Sequence, residues 1–214
     1  MIKVEHFTFN PLQENTYLLS NEKGKALIID PGCYFTAEQE TLQTHITQQN
    51  LTPIKLINTH CHLDHVFGNK WLAKTYQLEL HLHKDEEKVF ELAPAFGLTW
   101  GLSFDNYKGP LHFVQPGDDI YLVDDALTVL FTPGHSPGSI SLYCKAQQFV
   151  ISGDVLFFEG IGRTDLPSGN HQQLIKSIQE QLFTLPDDTI VYSGHGPATT
   201  IGHEKKHNPY ITTY

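Results

Sequence analysis

Six consecutive residues, His60-Cys61-His62-Leu63-Asp64-His65, carry four side chains of the types that bind metal cations. In an extended segment, residues i and i+2 point the same way, so His60 and His62 can converge on one ion. Asp64 and His65 lie past a bend, at the start of a following helix, and point elsewhere; that suits a second ion nearby. Imidazole together with carboxylate favours Zn, Fe or Mn over Ca or Mg. The plainer reading is a polar loop that happens to be rich in histidine, but ligand types rarely cluster this densely without a use.

Three more candidates follow apolar strands. His135 sits in Thr132-Pro133-Gly134-His135-Ser136-Pro137-Gly138, where Gly and Pro fix a tight turn that presents one side chain. Asp154 follows the apolar stretch 149–152 and Gly153, and His195 follows the apolar stretch 190–193 and Gly194. Singly, each reads as easily as a surface residue. Together they repeat one design: an apolar strand, a glycine, a ligand-type residue. A different signal, His203-Glu204-Lys205-Lys206-His207, matches the H-E-x-x-H zinc motif. That motif needs a rigid helix, and here Gly202 and Pro209 flank it, so a short frayed helix with solvated charges is expected instead.

Composition narrows the setting. The chain has 214 residues and a net charge of −10, from 14 Lys and Arg against 24 Asp and Glu. A surface of that sign repels nucleic acid and anionic membranes, which leaves a small-molecule substrate as the expected partner. Oligomeric state is not legible. No apolar run approaches the ~18 residues of a membrane span, and the start lacks a charged segment followed by an apolar one. Cys33, Cys61 and Cys144 are too few for a disulfide framework, so a cytoplasmic location is expected.

These residues need elements to hold them. Period-two apolar patterns predict strands over 4–9, 15–19, 25–29, 54–57, 79–83, 119–123, 127–131, 139–143, 149–152 and 190–193. Helical spacing predicts helices over 36–49 with Thr36 as N-cap, and over 64–77, 84–92 and 171–183. Residues 94–117, rich in Gly, Pro and aromatics, read as a loop or lid, and the chain is expected to end in a polar tail. Two strand-rich halves, each with helices, fit an α/β four-layer αββα sandwich forming a single domain over 1–214.

The order His-x-His-x-Asp-His, then His, Asp and His resembles the metallo-β-lactamase superfamily, from Asp30-Pro31-Gly32 to His195. The resemblance implies an αββα fold with the site between the sheets. It implies that His60, His62 and His135 hold one metal, that Asp64, His65 and His195 hold a second, and that Asp154 bridges them. The cofactor implied is two divalent metal ions, zinc first, with iron or manganese as alternatives. Family β-lactamases that bind two zincs usually place Cys where this chain has Asp154, which points away from antibiotic hydrolysis. The family's tRNA-processing nucleases carry basic surfaces that this chain lacks. The segment 152–165 looks like the glyoxalase II and persulfide dioxygenase branches, and the ending 194–209 looks most like short, single-domain glyoxalase II-like hydrolases.

Water held between two cations loses its proton near neutral pH, and Asp64 and Asp154 are the expected catalytic carboxylates that orient it. A thiolate leaving group needs no strong general acid, which favours a thioester of the S-lactoylglutathione type. Full-length glyoxalase II adds a C-terminal helical domain with basic residues that hold the glutathione carboxylates, and this chain is expected to lack it. The family's Lys and Tyr after the bridging Asp correspond here to Arg163 and Asp165, and its Tyr after the last His to Pro197. Arg163 is the expected substrate anchor, with pairing to Asp165 as the alternative. Trp100 and Tyr107 are expected to pack more than to line the substrate mouth. Cys61 is read as a small neighbour whose side chain faces away, and Asp30 as a partner that orients a ligand histidine. Competing functions are a one-iron persulfide dioxygenase, a lactonase-type hydrolase on the same fold, and a non-catalytic module. Retention of all seven ligand types weighs against the last.

Overall fold

Two six-stranded sheets carry the structure, a computed structural model that describes residues 1–211. The first half runs β1 (Lys3–Phe9), β2 (Glu14–Ser20), β3 (Lys25–Ile29), α1 (Thr36–Gln48), β4 (Thr52–Ile57), α2 (Leu63–Val66), α3 (Asn69–Tyr76) and β5 (Leu80–His83). A single 3₁₀ turn then leads into α4 (Glu87–Thr99) and β6 (Leu111–Val114). Its strands lie in the order β1-β2-β3-β4-β5-β6. The second half runs β7 (Asp119–Leu122), β8 (Asp125–Phe131), β9 (Ile140–Cys144), β10 (Phe149–Gly153), a small hairpin of β11 (Leu156–Phe157) and β12 (Gly160–Ile161), α5 (His171–Ser177), β13 (Ile190–Ser193), β14 (Thr199–Thr200) and α6 (Ile201–His207). Its main sheet has the order β14-β13-β10-β9-β8-β7.

Period-two alternation builds the layers. Leu27, Ile29 and Ile57 of the first sheet meet Val129, Leu142 and Ile151 of the second in one buried cluster. The intervening residues, Ile28 and Leu56, face the other way onto Leu42, Ile46 and Leu72 of α1 and α3. On the far side Val150 and Val191 meet Leu174, Ile178 and Ile201. Strands buried on both faces explain the near-continuous apolar runs. The order is therefore helix, sheet, sheet, helix, as the pattern of the sequence predicts.

The topology also determines where loops gather. β3, β4 and β5 pair in parallel, as do β10 and β13, so their C-terminal ends open along the same edges. Ligand sites in such sheets form beyond the carboxyl ends of the strands. Here those ends lead into Asp30, the 58–65 segment, Asp154 and His195.

Four local expectations are corrected. The helix over 64–77 is two helices, because the chain breaks at Gly68, whose N–H donates to the Pro31 carbonyl at 2.7 Å. A Cβ there would lie 2.4 Å from Cys33 Sγ. The N-cap of α1 is Phe35, and Glu38 accepts from the N–H groups of Tyr34 and Phe35. The stretch 94–117 is not a continuous loop, since α4 runs through Pro94 and β6 follows. Pro94 has no N–H to give the Phe90 carbonyl one turn back, and the Asn106 side-chain amide supplies it at 2.7 Å. The polar tail contains Ile211, which packs into the cluster beside α5 and α6; residues 212–214 of that tail lie outside the described residues. Among the described residues, no helix is long and apolar enough to cross a membrane.

Candidate metal centre

Each candidate ligand leaves a strand end. His60 and His62 follow β4 in extended backbone, and Asp64 and His65 occupy the short α2. His135 comes from the β8–β9 turn, Asp154 from the end of β10, and His195 from the end of β13. The structure brings all seven together. His60, His62 and His135 form one group with ligand atoms within 4.8 Å of one another; Asp64, His65 and His195 form another. Asp154 lies between the groups. Its Oδ2 is 3.5 Å from His135 Nε2 and 3.5 Å from His195 Nε2, and its Oδ1 is 3.4 Å from His65 Nε2.

The imidazoles are oriented from behind. His135 Nδ1 donates to the Arg163 carbonyl at 2.7 Å, and His195 Nδ1 to the Gln13 carbonyl at 3.1 Å, so both present Nε2 inward. The Thr59 hydroxyl donates to Asp30 Oδ2 at 2.5 Å, which leaves its oxygen to face His60 Nδ1 at 3.2 Å. His65 Nδ1 faces Asp30 Oδ2 at 3.2 Å and the buried Glu14 at 3.9 Å. Asp30 belongs by distance to a third group with His60 and His65, but its oxygens are engaged by the Thr59 N–H and hydroxyl. It is a partner behind the ligands, the place its position at a strand end suggests. A positive φ of 49° at Asp30 is the backbone strain that turns its carboxylate into the cluster.

Charge and satisfaction both fit divalent cations. His60 Nε2, His65 Nε2 and Asp154 Oδ1 are buried without a hydrogen-bond partner among the described residues. His62 Nδ1 and His135 Nε2 face each other at 2.7 Å. Burial, with His135 nearby, pushes His62 down to about 3, and burial also lowers His60 and His135. These three are neutral donors. At the second group, burial opposes charge on His65 and His195, yet Asp154 and Asp64 hold both above the usual histidine range. Burial would raise Asp154, but His65 and His195 hold it well below the carboxylate range. That position favours positive charge. Gly194 allows the approach: a Cβ there would sit 2.1 Å from Asp154 Oδ1.

One supporting residue left no sequence signal. Glu86 stands in Lys84-Asp85-Glu86-Glu87, which reads as a charged helix start. It is fully buried and accepts from the Cys61 N–H at 2.8 Å, the Ser136 hydroxyl at 2.5 Å and the Gly138 N–H at 2.7 Å. One carboxylate therefore ties the loop of His60 and His62 to the turn of His135. Cys61 is fully buried in the apolar cluster under the first sheet, and its thiol is pushed well up by burial.

A cavity of about 440 Å³ opens onto the group, lined in part by His62, Asp64, His135, Asp154 and His195. Arg163 is at its wall, but the guanidinium grips Asp165 through two hydrogen bonds of 2.8 and 2.9 Å. The anchor expected from sequence is thus already paired, and what Arg163 gives the cluster is its carbonyl. Trp100 lines the cavity mouth, contrary to the packing expectation, whereas the Tyr107 hydroxyl donates to the Pro110 carbonyl and its ring packs on the apolar cluster. The C-terminal H-E-x-x-H forms an ordered helix, not a frayed one. Glu204 is buried and accepts from Thr199, Glu159 and Asn208, and no candidate metal group among the described residues includes it.

The model of the metallo-beta-lactamase superfamily matches residues 9–195. Hydroxyacylglutathione hydrolase GloC of Haemophilus influenzae is 36% identical over 214 residues, covering 99% of both chains. A solved structure of the B3 metallo-beta-lactamase BLEG-1 aligns with a TM-score of 0.90 at 37% identity, over 98% of this chain and 100% of that one. TTHA1623 in a di-iron-bound form aligns with a TM-score of 0.87 at 35% identity, over 97% and 100%.

Proposed function

The chain belongs to the metallo-beta-lactamase superfamily, and from that premise we propose that it is a metal-dependent hydrolase of thioesters, working with two divalent cations. The observation that carries the reading is Asp154, whose two oxygens reach nitrogens of both triads. His60, His62 and His135 would hold one cation, and Asp64, His65 and His195 the other. Similarity to a hydroxyacylglutathione hydrolase supports thioesters as the substrate class. The di-iron relative leaves iron beside zinc as the native metal.

When bound, a pair of divalent cations supplies a nucleophile from water at neutral pH and polarises the carbonyl. The protein's own part is orientation. The Arg163 and Gln13 carbonyls hold His135 and His195 with Nε2 inward, and Asp30 backs His65 and, through Thr59, His60. Asp64 and Asp154 line the cavity, where their carboxylates would accept hydrogen bonds from a water and orient it. A departing thiolate needs no strong acid.

The test is metal analysis joined to a substrate panel: S-lactoylglutathione, simple acyl thioesters, a lactone, a β-lactam, and glutathione persulfide under oxygen. Two metals per chain and thioester turnover are expected. Asp154→Ala should lose the second metal and at least about a hundredfold in turnover. A variant that keeps both metals and full rate would remove the bridge assignment. One iron per chain with oxygen uptake on the persulfide would replace hydrolysis by dioxygenation.

A further inference from the structure

α4 presents Val89, Leu92, Ala93 and Phe96, and its C-cap residue Trp100, to the cavity above the cluster. Their spacing of three, four, seven and eleven residues from Val89 places them on one helical stripe. Leu92, Phe96 and Trp100 are 41%, 38% and 56% exposed, so among the described residues the stripe stays partly open to solvent. Where the stripe passes Pro94, the Asn106 side-chain amide satisfies the Phe90 carbonyl. Phe157 also lines the cavity.

The two basic side chains that line the same cavity each pair with a carboxylate at the surface. Lys88 pairs with Glu91 at 3.0 Å, and Arg163 with Asp165. A ligand bearing two carboxylates meets a largely apolar wall whose two basic side chains already have acidic neighbours, in a chain of net charge −10.

We propose that the α4 stripe binds an apolar group of the substrate, the size of a phenyl ring or branched alkyl chain, and that the preferred thioesters are hydrophobic rather than glutathione-borne. This rests on the thioesterase reading above. Burial of the group on Leu92 and Phe96 favours its substrates over small or anionic ones by excluding water from both surfaces.

Two measurements test it. The first compares kcat/KM of metal-loaded protein on matched pairs: phenylacetyl against acetyl on N-acetylcysteamine for the acyl side, and the acetyl thioester of benzyl thiol against that of glutathione for the thiol side. At least one apolar member should exceed its match by about thirtyfold, and Leu92→Ser and Phe96→Ser should each cut that ratio about fivefold or more. The second follows Trp100 emission in a Trp71→Phe background, in metal-free protein titrated with S-benzyl and S-methyl N-acetylcysteamine thioethers. The benzyl compound should bind about tenfold more tightly. Thioester turnover with no preference in either pair, or with S-lactoylglutathione preferred, overturns the apolar site and leaves the hydrolase. No thioester turnover, with the benzyl preference intact, sinks the hydrolase and leaves the apolar site. Equal binding of the two thioethers overturns the stripe whatever the turnover.

Discussion

Asp30 Oδ2 lies 3.2 Å from His65 Nδ1, with both side chains fully buried behind the candidate metal centre. The same carboxylate holds the Thr59 N–H and hydroxyl, so it orients the start of the His-rich segment as well as one of its ligands. Asp30→Asn keeps the shape but replaces one acceptor by a donor and removes the charge. Metal affinity at the group of Asp64, His65 and His195 should fall about 10- to 100-fold, while the His60, His62 and His135 group should change less. Competition against a chelator of known affinity, followed by metal counting, reads both sites. Two unchanged affinities would reduce Asp30 to a loop brace.

Glu86 joins the two loops of the first triad through three accepted hydrogen bonds. Glu86→Ala strands buried donors of Cys61, Ser136 and Gly138, at about 1–3 kcal/mol for each unsatisfied group before relaxation. Unfolding in urea should show a loss of at least about 3 kcal/mol, and Glu86→Gln, which keeps one acceptor oxygen, should lose less. An alanine variant as stable as the parent would mean that water replaces the carboxylate.

His81, on β5 away from the cluster, is pushed down to about 4 by burial, with Lys55 and His112 adding repulsion; the Glu79 and Leu56 carbonyls partly offset this. Its folded value lies below the unfolded one, near 6.5. The unfolded chain therefore binds more protons between about pH 6.5 and 4, and stability falls as the pH drops through that window. Above it the contribution is constant. His81→Gln should remove on the order of 1–2 kcal/mol of that loss, discounted because solvent still reaches the ring. The check is the difference between variant and parent urea midpoints across pH 4–7, in which histidines remote from His81 cancel and His112, stacked on it, is counted with it. A flat difference would show that the ring takes its proton as freely as in the unfolded chain.

The sequence alone was enough to nominate the candidate ligands. Side-chain type and spacing are local properties, so His60, His62, Asp64 and His65 announce themselves, and the repeated strand-Gly-ligand pattern adds His135, Asp154 and His195. Short near-continuous apolar runs likewise carry the sandwich, because a strand buried on both faces must be apolar on both. Tertiary structure decided everything that depends on what stands opposite. Glu86 looks like a surface charge until the fold places Cys61 and Gly138 against it, 25 and 52 positions away. Pro94 looks like a helix end until Asn106 arrives at Phe90. Arg163 looks like an anchor until its guanidinium meets Asp165 in a geometry that spacing alone left open. A residue's own chemistry is written in its identity, but its free valences depend on neighbours that only packing supplies.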